Sequence, residues 1–152
     1  MFGKILTRLS VLICSLAFLP ACSGTRPGNL GANDGKLLDC PGSPNCVSSF
    51  ALDEEHQIDP FSFSGSKEDQ IKKLKTIISK FGDASIVSES GNYIYVEFAS
   101  NLFKFVDDVE FLIDEKNQKL HFRSASRLGY GDFGVNRKRI ETIKARLAGK
   151  SG

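Results

Sequence analysis

Residues 103–127 read FKFVDDVEFLIDEKNQKLHFRSASR, and their alternation decides the fold. Phe103, Phe105, Val109, Phe111 and Ile113 share one parity, broken only by Asp107. A period of two marks a strand with one apolar face. The stretch therefore reads as one long strand, or as two joined at a bulge around residues 106–108. Residues 115–118 turn the chain, after which Leu120 and Phe122 rejoin the apolar face. His121, Arg123, Ala125 and Arg127 fall on the opposite face. If Ile113 pairs with Leu120, Glu110 stands opposite Arg123 and Val109 opposite Ser124, which makes Glu110–Arg123 a cross-strand ion pair.

The neighbouring segments supply partners for this strand pair. Residues 84–89 read as a strand, Ser90-Gly91-Asn92 as its turn, and residues 93–99 as the returning strand. Ile94, Val96 and Phe98 point one way; Tyr93, Tyr95 and Glu97 point the other. Ser66 followed three residues on by Asp69 resembles a capping box. A helix should run from there to about Lys80, with Ile71, Leu74, Ile78 and Phe81 on one face. Lys72, Lys73 and Lys75 take the wet side, and Gly82 stops it. Pro60 limits residues 57–63 to an edge strand or a connecting arm. A last helix is expected over residues 136–147, capped by Asn136, with Ile140, Ile143 and Leu147 inward. The fold class is α+β: an antiparallel sheet of about four to five strands with two main helices packed on one face.

Residues 121–141, HFRSASRLGYGDFGVNRKRIE, hold the most specific chemistry. A strand passes through a glycine-rich turn into a basic helix start. Positive charge in a first helical turn opposes the helix dipole, so Arg137, Lys138 and Arg139 require an acidic partner, an anion or solvent. Arg123, Arg127, Arg137 and Arg139 have the planar fork that suits carboxylate or phosphate. With Tyr130, Asp132 and Asn136 they form the candidate ligand-binding set. Against this stands a structural reading, in which Asp107, Asp108, Glu110, Asp132 and Glu141 neutralise the arginines and lock the last helix to the sheet. Asp132 itself reads as a turn-stabilising carboxylate.

The N-terminus is a targeting segment. Lys4 and Arg8 precede an apolar run, LSVLICSLAFL over residues 9–19, too short to span a bilayer permanently. It closes on Leu19-Pro20-Ala21-Cys22, which resembles a bacterial lipoprotein box. Residues 1–21 are then the signal peptide, and Cys22 is the lipid-bearing N-terminus of the mature chain. An ordinary secretory peptide and an uncleaved anchor are the other readings. Ser23 after the cysteine implies, by resemblance to bacterial sorting rules, the outer membrane with the domain facing the periplasm. Residues 22–36, rich in Gly, Asn and Ser, read as a flexible tether, and residues 37–148 as a single domain. Removing Lys4 and Arg8 with the leader leaves 18 basic against 18 acidic residues. Nucleic-acid binding thus has no global electrostatic support.

Two mature cysteines, Cys40 and Cys46, flank Pro-Gly-Ser-Pro-Asn. In an oxidising compartment this spacing suggests a disulfide. Two buried free thiols, or a metal or catalytic thiol, are the alternatives. Only His56 and His121 could join a metal, at no recognisable spacing, so no metal or cofactor is expected.

Three stretches resemble the family known as domain of unknown function 1499: CPGSPNCVSS at residues 40–49, FVDDVEF at 105–111, and RSASRLGYGDFGVNRKRIE at 123–141. The resemblance covers about residues 38–147. It implies an exported or membrane-attached protein and carries over no catalytic residue. The expectation is an envelope lipoprotein that binds an anionic small ligand or a protein partner. A structural or assembly role in the envelope is one alternative. A hydrolase is the other, with His121 or His56 as base and Ser124, Ser126 or Cys46 as nucleophile. No elbow, metal or cofactor motif supports the hydrolase, and Ser124 and Ser126 share parity with core-facing Phe122.

Overall fold

The computed structural model describes residues 24–101 and 104–150. The expected signal peptide and Cys22 lie outside the described residues, as does Phe103. In chain order the elements are β1 (Ala32–Asn33), β2 (Lys36–Leu37), β3 (Cys46–Ser48), β4 (Phe61–Ser62), α1 (Lys67–Ile78), β5 (Ala84–Ser90), β6 (Tyr93–Ala99), β7 (Val106–Asp114), β8 (Lys119–Ser126) and α2 (Val135–Leu147). The fold is α+β, as expected, with more strands than expected. Among the described residues there is a six-stranded antiparallel sheet ordered β3-β8-β7-β6-β5, with β4 also on β8, and a separate ribbon of β1 and β2. The additional strands are short: β3 and β4 share the outer edge of β8, β3 at residues 123–125 and β4 at residues 119–120.

The central register follows from the alternation. Ile113 pairs with Leu120, Glu110 with Arg123 and Val109 with Ser124. β7 runs unbroken through Asp107 and Asp108, so the expected alternative of a bulge there does not form. The register shift lies instead between Ile86 and Ser88 of β5. Asp107 therefore keeps its parity and faces the helices.

Both helices pack on the apolar face. Leu74, Ile77 and Ile78 of α1 and Ile140, Ile143 and Leu147 of α2 close over Ile94, Val96, Val109, Phe111 and Phe122. Each such aliphatic burial contributes on the order of 1.5–3 kcal/mol. Phe111 and Phe122 meet edge to face at 5.9 Å, one of the favoured aromatic geometries. α1 starts as its sequence implies: the Ser66 hydroxyl oxygen accepts from the Asp69 amide at 3.1 Å. α2 starts differently. Its N-cap is Gly134, in the left-handed region at φ 77° and without a side-chain cap bond. Asn136 is not the cap; it sits inside the first turn, fully buried. Asp132 serves instead, accepting from the Gly134 amide at 2.9 Å and the Asn136 amide at 2.8 Å.

The polar face is covered rather than open. Residues 24–36, read from composition as a flexible tether, lie along it as a strap that continues into Leu37. Arg26 donates to Glu97 at 2.7 Å and the Gly31 amide donates to Glu110 at 2.7 Å. β1 and β2 form a hairpin whose central residues, Asp34 at φ 47° and Gly35 at φ 74°, take the left-handed conformation a two-residue turn requires. Leu37 then buries itself in the domain. The Cys40–Cys46 disulfide links the segment after the strap to the first residue of β3.

Candidate functional site

Strand alternation distributes the expected ligand-binding residues over both faces of the sheet. Arg123 and Arg127 lie under the strap. Arg123, 2% exposed, donates through Nη1 to Glu110 at 2.8 Å, and Glu110 is wholly buried. Glu110 also accepts from the Tyr93 hydroxyl at 2.8 Å as well as from Gly31. Arg127 reaches Asp108 at 2.5 Å and Glu97 at 2.8 Å. The Tyr95 hydroxyl lies 2.5 Å from Asp108 and 2.9 Å from Glu97. Three arginines, three carboxylates and two tyrosines thus form two adjacent clusters: Arg123, Glu110 and Tyr93 with the Gly31 amide, and Arg26, Arg127, Asp108, Glu97 and Tyr95.

Their electrostatics are self-consistent. Burial alone would raise the Glu97 carboxyl, but hydrogen bonds from Arg127, Arg26 and Tyr95 hold it down at about 2. Hydrogen bonding to Asp108 raises Arg127 above its ordinary value despite burial. Burial, with Glu110 beside Tyr93 and Asp108 beside Tyr95, pushes both phenols well above their ordinary range. Glu97 stays ionised and the two phenols stay neutral donors. Removing one member of a buried pair strands its partner's charge in low dielectric.

Arg139 and Asn136 lie on the other face, between sheet and helix. Arg139 donates to Asp107 at 2.5 Å, to Asn136 at 2.8 Å and to Ser124 at 3.2 Å, and its guanidinium stacks over Phe98 at 4.6 Å. Asn136 receives the Ser124 hydroxyl at 2.5 Å and donates to the Asn45 carbonyl at 3.0 Å. Arg137 lies at the outer edge, donating to the carbonyls of Gln57 at 2.7 Å and Glu55 at 2.8 Å. The four arginines therefore do not converge on one pocket. Three pair with carboxylates and the fourth anchors the loop before β4.

The expected catalytic candidates are similarly placed. His56 is buried between Asp53 and Ser43: Nδ1 lies 2.6 Å from the Asp53 carboxylate and Nε2 lies 3.1 Å from the Ser43 carbonyl. With an acceptor on each nitrogen, the protonated ring donates on both sides and ties two loops together. Burial opposes that charge, and the Ser43 carbonyl and Asp53 outweigh it, so the His56 pKa rises. His121 does meet a serine, Ser49, with Oγ 3.2 Å from Nδ1. That hydroxyl also contacts the Phe122 backbone, accepting from the amide at 2.9 Å, so it completes the sheet edge. Phe50 stacks on the imidazole at 4.3 Å, and burial lowers the His121 pKa. Cys46 is committed to the disulfide. Among the described residues, no group of three or more His, Cys, Asp or Glu side chains is arranged to hold a metal ion.

Sequence reasoning passed over a feature in the loop between β8 and α2. Leu128, Tyr130, Phe133 and Val135 all stand exposed, Tyr130 at 76% and Phe133 completely. With Phe105 and a floor that includes Asp107, Ser126 and Arg139, this loop encloses a hollow of about 480 Å³. The usable signal was the apolar residues between turn glycines, which lack any period that would take them into a core. Tyr130 is the one expected ligand-binding residue displayed to solvent here; Asp132 lines the hollow while capping α2.

The family model described as "Protein of unknown function (DUF1499)" matches residues 36–147. That is more than half of the chain, and the protein belongs to this family. No curated protein matches the chain.

Two outcomes follow for the buried groups. Glu110→Gln should cost about 3–5 kcal/mol in urea unfolding, because Arg123 is left charged and unpaired. The double variant Glu110→Leu/Arg123→Met should cost less than either substitution alone; additive losses would show that the pair does not act as a unit. His56 binds its proton more tightly folded than unfolded, so its contribution is complete below its ordinary pKa of about 6.5 and is lost as pH rises through the raised value. Wild-type stability should fall over that window, and His56→Gln should remove that part of the slope; an unchanged slope would assign it to other groups.

Proposed function

We propose that this member of the DUF1499 family is a lipoprotein of the bacterial outer membrane, held by lipid on Cys22 with its domain facing the periplasm. It works by binding a hydrophobic partner rather than by catalysis. The observation that carries the binding reading is the exposed apolar loop around the hollow at residues 128–135. Large apolar side chains gathered at one place on a surface mark an interaction site, whereas scattered ones do not.

An anionic small ligand, the other class expected from the arginines, receives less support. A ligand at Arg123 would have to displace Glu110, and one at Arg127 would have to displace Asp108 or Glu97, from existing ion pairs. A ligand at Arg139 would compete with Asp107. Export is supported by the leader and its cysteine box, and by a disulfide of the kind that persists in oxidising compartments. No helix among the described residues is long and apolar enough to cross a membrane, so a lipid anchor would supply the attachment.

The wild-type chain expressed in a bacterial envelope should carry acyl mass on Cys22 and fractionate with the outer membrane. Cys22→Ala should lose both properties and be recovered with its domain folded. A Cys22→Ala product that stays acylated and membrane-bound would contradict the assignment.

A further inference from the structure

The strap limits how far a lipid on Cys22 could lie from the domain. Gly24 packs against the start of the apolar loop: a Cβ added there would stand 3.0 Å from Arg127 Cγ and 3.1 Å from Leu128 Cγ. Cys22 is two residues away in sequence, a reach of at most about 7 Å. Two residues beyond Gly24, Arg26 is fixed to Glu97, and Gly31 is fixed to Glu110. A lipid on Cys22 would therefore have only Ser23 between it and the strap. Gly24, where the described chain begins, lies beside Leu128, at the same end of the sheet as Phe105, Tyr130, Phe133 and Val135.

The loop is built to hold its apolar side chains outward. Asp132 accepts from the amides of Gly134 and Asn136, and between them Phe133 takes the left-handed conformation at φ 55°. The ring is thereby held fully out of the domain. Of the three carboxylates lining the hollow, Asp107 is engaged by Arg139 and Asp132 by backbone amides, which leaves Asp83 at its border. Tyr130 at such a position suits the headgroup boundary of a bilayer, where an apolar body and a polar tip are both satisfied, and Phe133 and Leu128 suit the acyl boundary just below it.

We propose that Leu128, Tyr130, Phe133 and Val135, with Phe105 beside them, seat the domain directly on the phospholipid surface that holds its own anchor. The inference rests on lipidation of Cys22 and names the hydrophobic partner of the loop as the bilayer. The anchor and the loop then act as two linked membrane contacts, and the second binds at the high effective concentration set by a very short tether. The domain is held in one orientation, with the β7–β8 turn at residues 115–118 pointing away from the membrane.

The chain contains no tryptophan, so a single introduced one is an unambiguous reporter. The full-length acylated protein would be reconstituted in phosphatidylethanolamine–phosphatidylglycerol vesicles with brominated acyl chains, carrying either Phe133→Trp or Lys116→Trp. Tryptophan at position 133 should shift to shorter wavelength and be quenched several-fold more strongly than tryptophan at position 116. Equal, weak quenching at both positions in protein of confirmed acyl mass would overturn the docking and leave the lipoprotein assignment standing. Emission at position 133 that is water-like in vesicles but shielded in whole envelope membranes would give the surface to a protein and also overturn it. Absence of acyl mass would remove both the assignment and the inference.

Discussion

The Glu110–Arg123 pair is the constraint on which the arrangement depends. It places two full charges at the centre of a sheet, where neither can keep its hydration. Such a pair costs less the more of its remaining hydrogen-bonding capacity is met. Tyr93 and the Gly31 amide meet it for Glu110, which brings the strap onto the sheet, while Arg123 Nε stays buried without a hydrogen-bond partner. Beside it, Arg127 satisfies Asp108 and Glu97 together, and Arg26 closes the set from the strap. The polar face is thus a second, ionic interior opposite the hydrophobic one. A sheet between two interiors has a fixed register, because a slip by one residue would exchange charge for hydrocarbon on both sides.

This closure also directs where function can reside. The arginines that looked like an anion site are occupied by the protein's own carboxylates and carbonyls. The partner surface proposed above lies elsewhere, at the end of the sheet where β8 gives way to the glycine-rich loop. The same loop needs a cap for α2, and Asp132 supplies it. In doing so it turns Phe133 outward. Folding of the helix start and display of the apolar surface are therefore one event.

The parts legible in the sequence were those governed by short periods. Alternation in residues 105–113 and 120–126 was enough to pair Ile113 with Leu120, and hence to set Glu110 against Arg123. The Ser66–Asp69 cap and the apolar stripes of both helices were local for the same reason. The strap was not legible, because its composition is that of a flexible linker. Its attachment depends on Arg26 meeting Glu97, 71 residues away, and on a backbone amide that leaves no compositional trace. Its Asp34-Gly35 hairpin signal was present but too short to change that reading. The edge-strand option at residues 57–63 is realised only as the two residues of β4, and β3 is as short, three residues on the same edge, so neither carries a period long enough to fix the strand count. Asn is a good cap in isolation, but at Asn136 tertiary hydrogen bonds to Asn45 and Ser124 hold the side chain inside the helix, and the cap falls to the residues before it.

Amide hydrogen exchange at Gly31 in the wild-type chain tests the central claim most directly. If the strap is held by the buried carboxylates, the Gly31 amide should be protected far beyond an unstructured chain of the same composition, and Glu110→Gln should release it while the β7–β8 amides remain protected. Exchange at the unstructured rate in the wild-type protein would mean that residues 24–36 are a free tether. The polar face would then be open, and the arginine network would again be a candidate binding site.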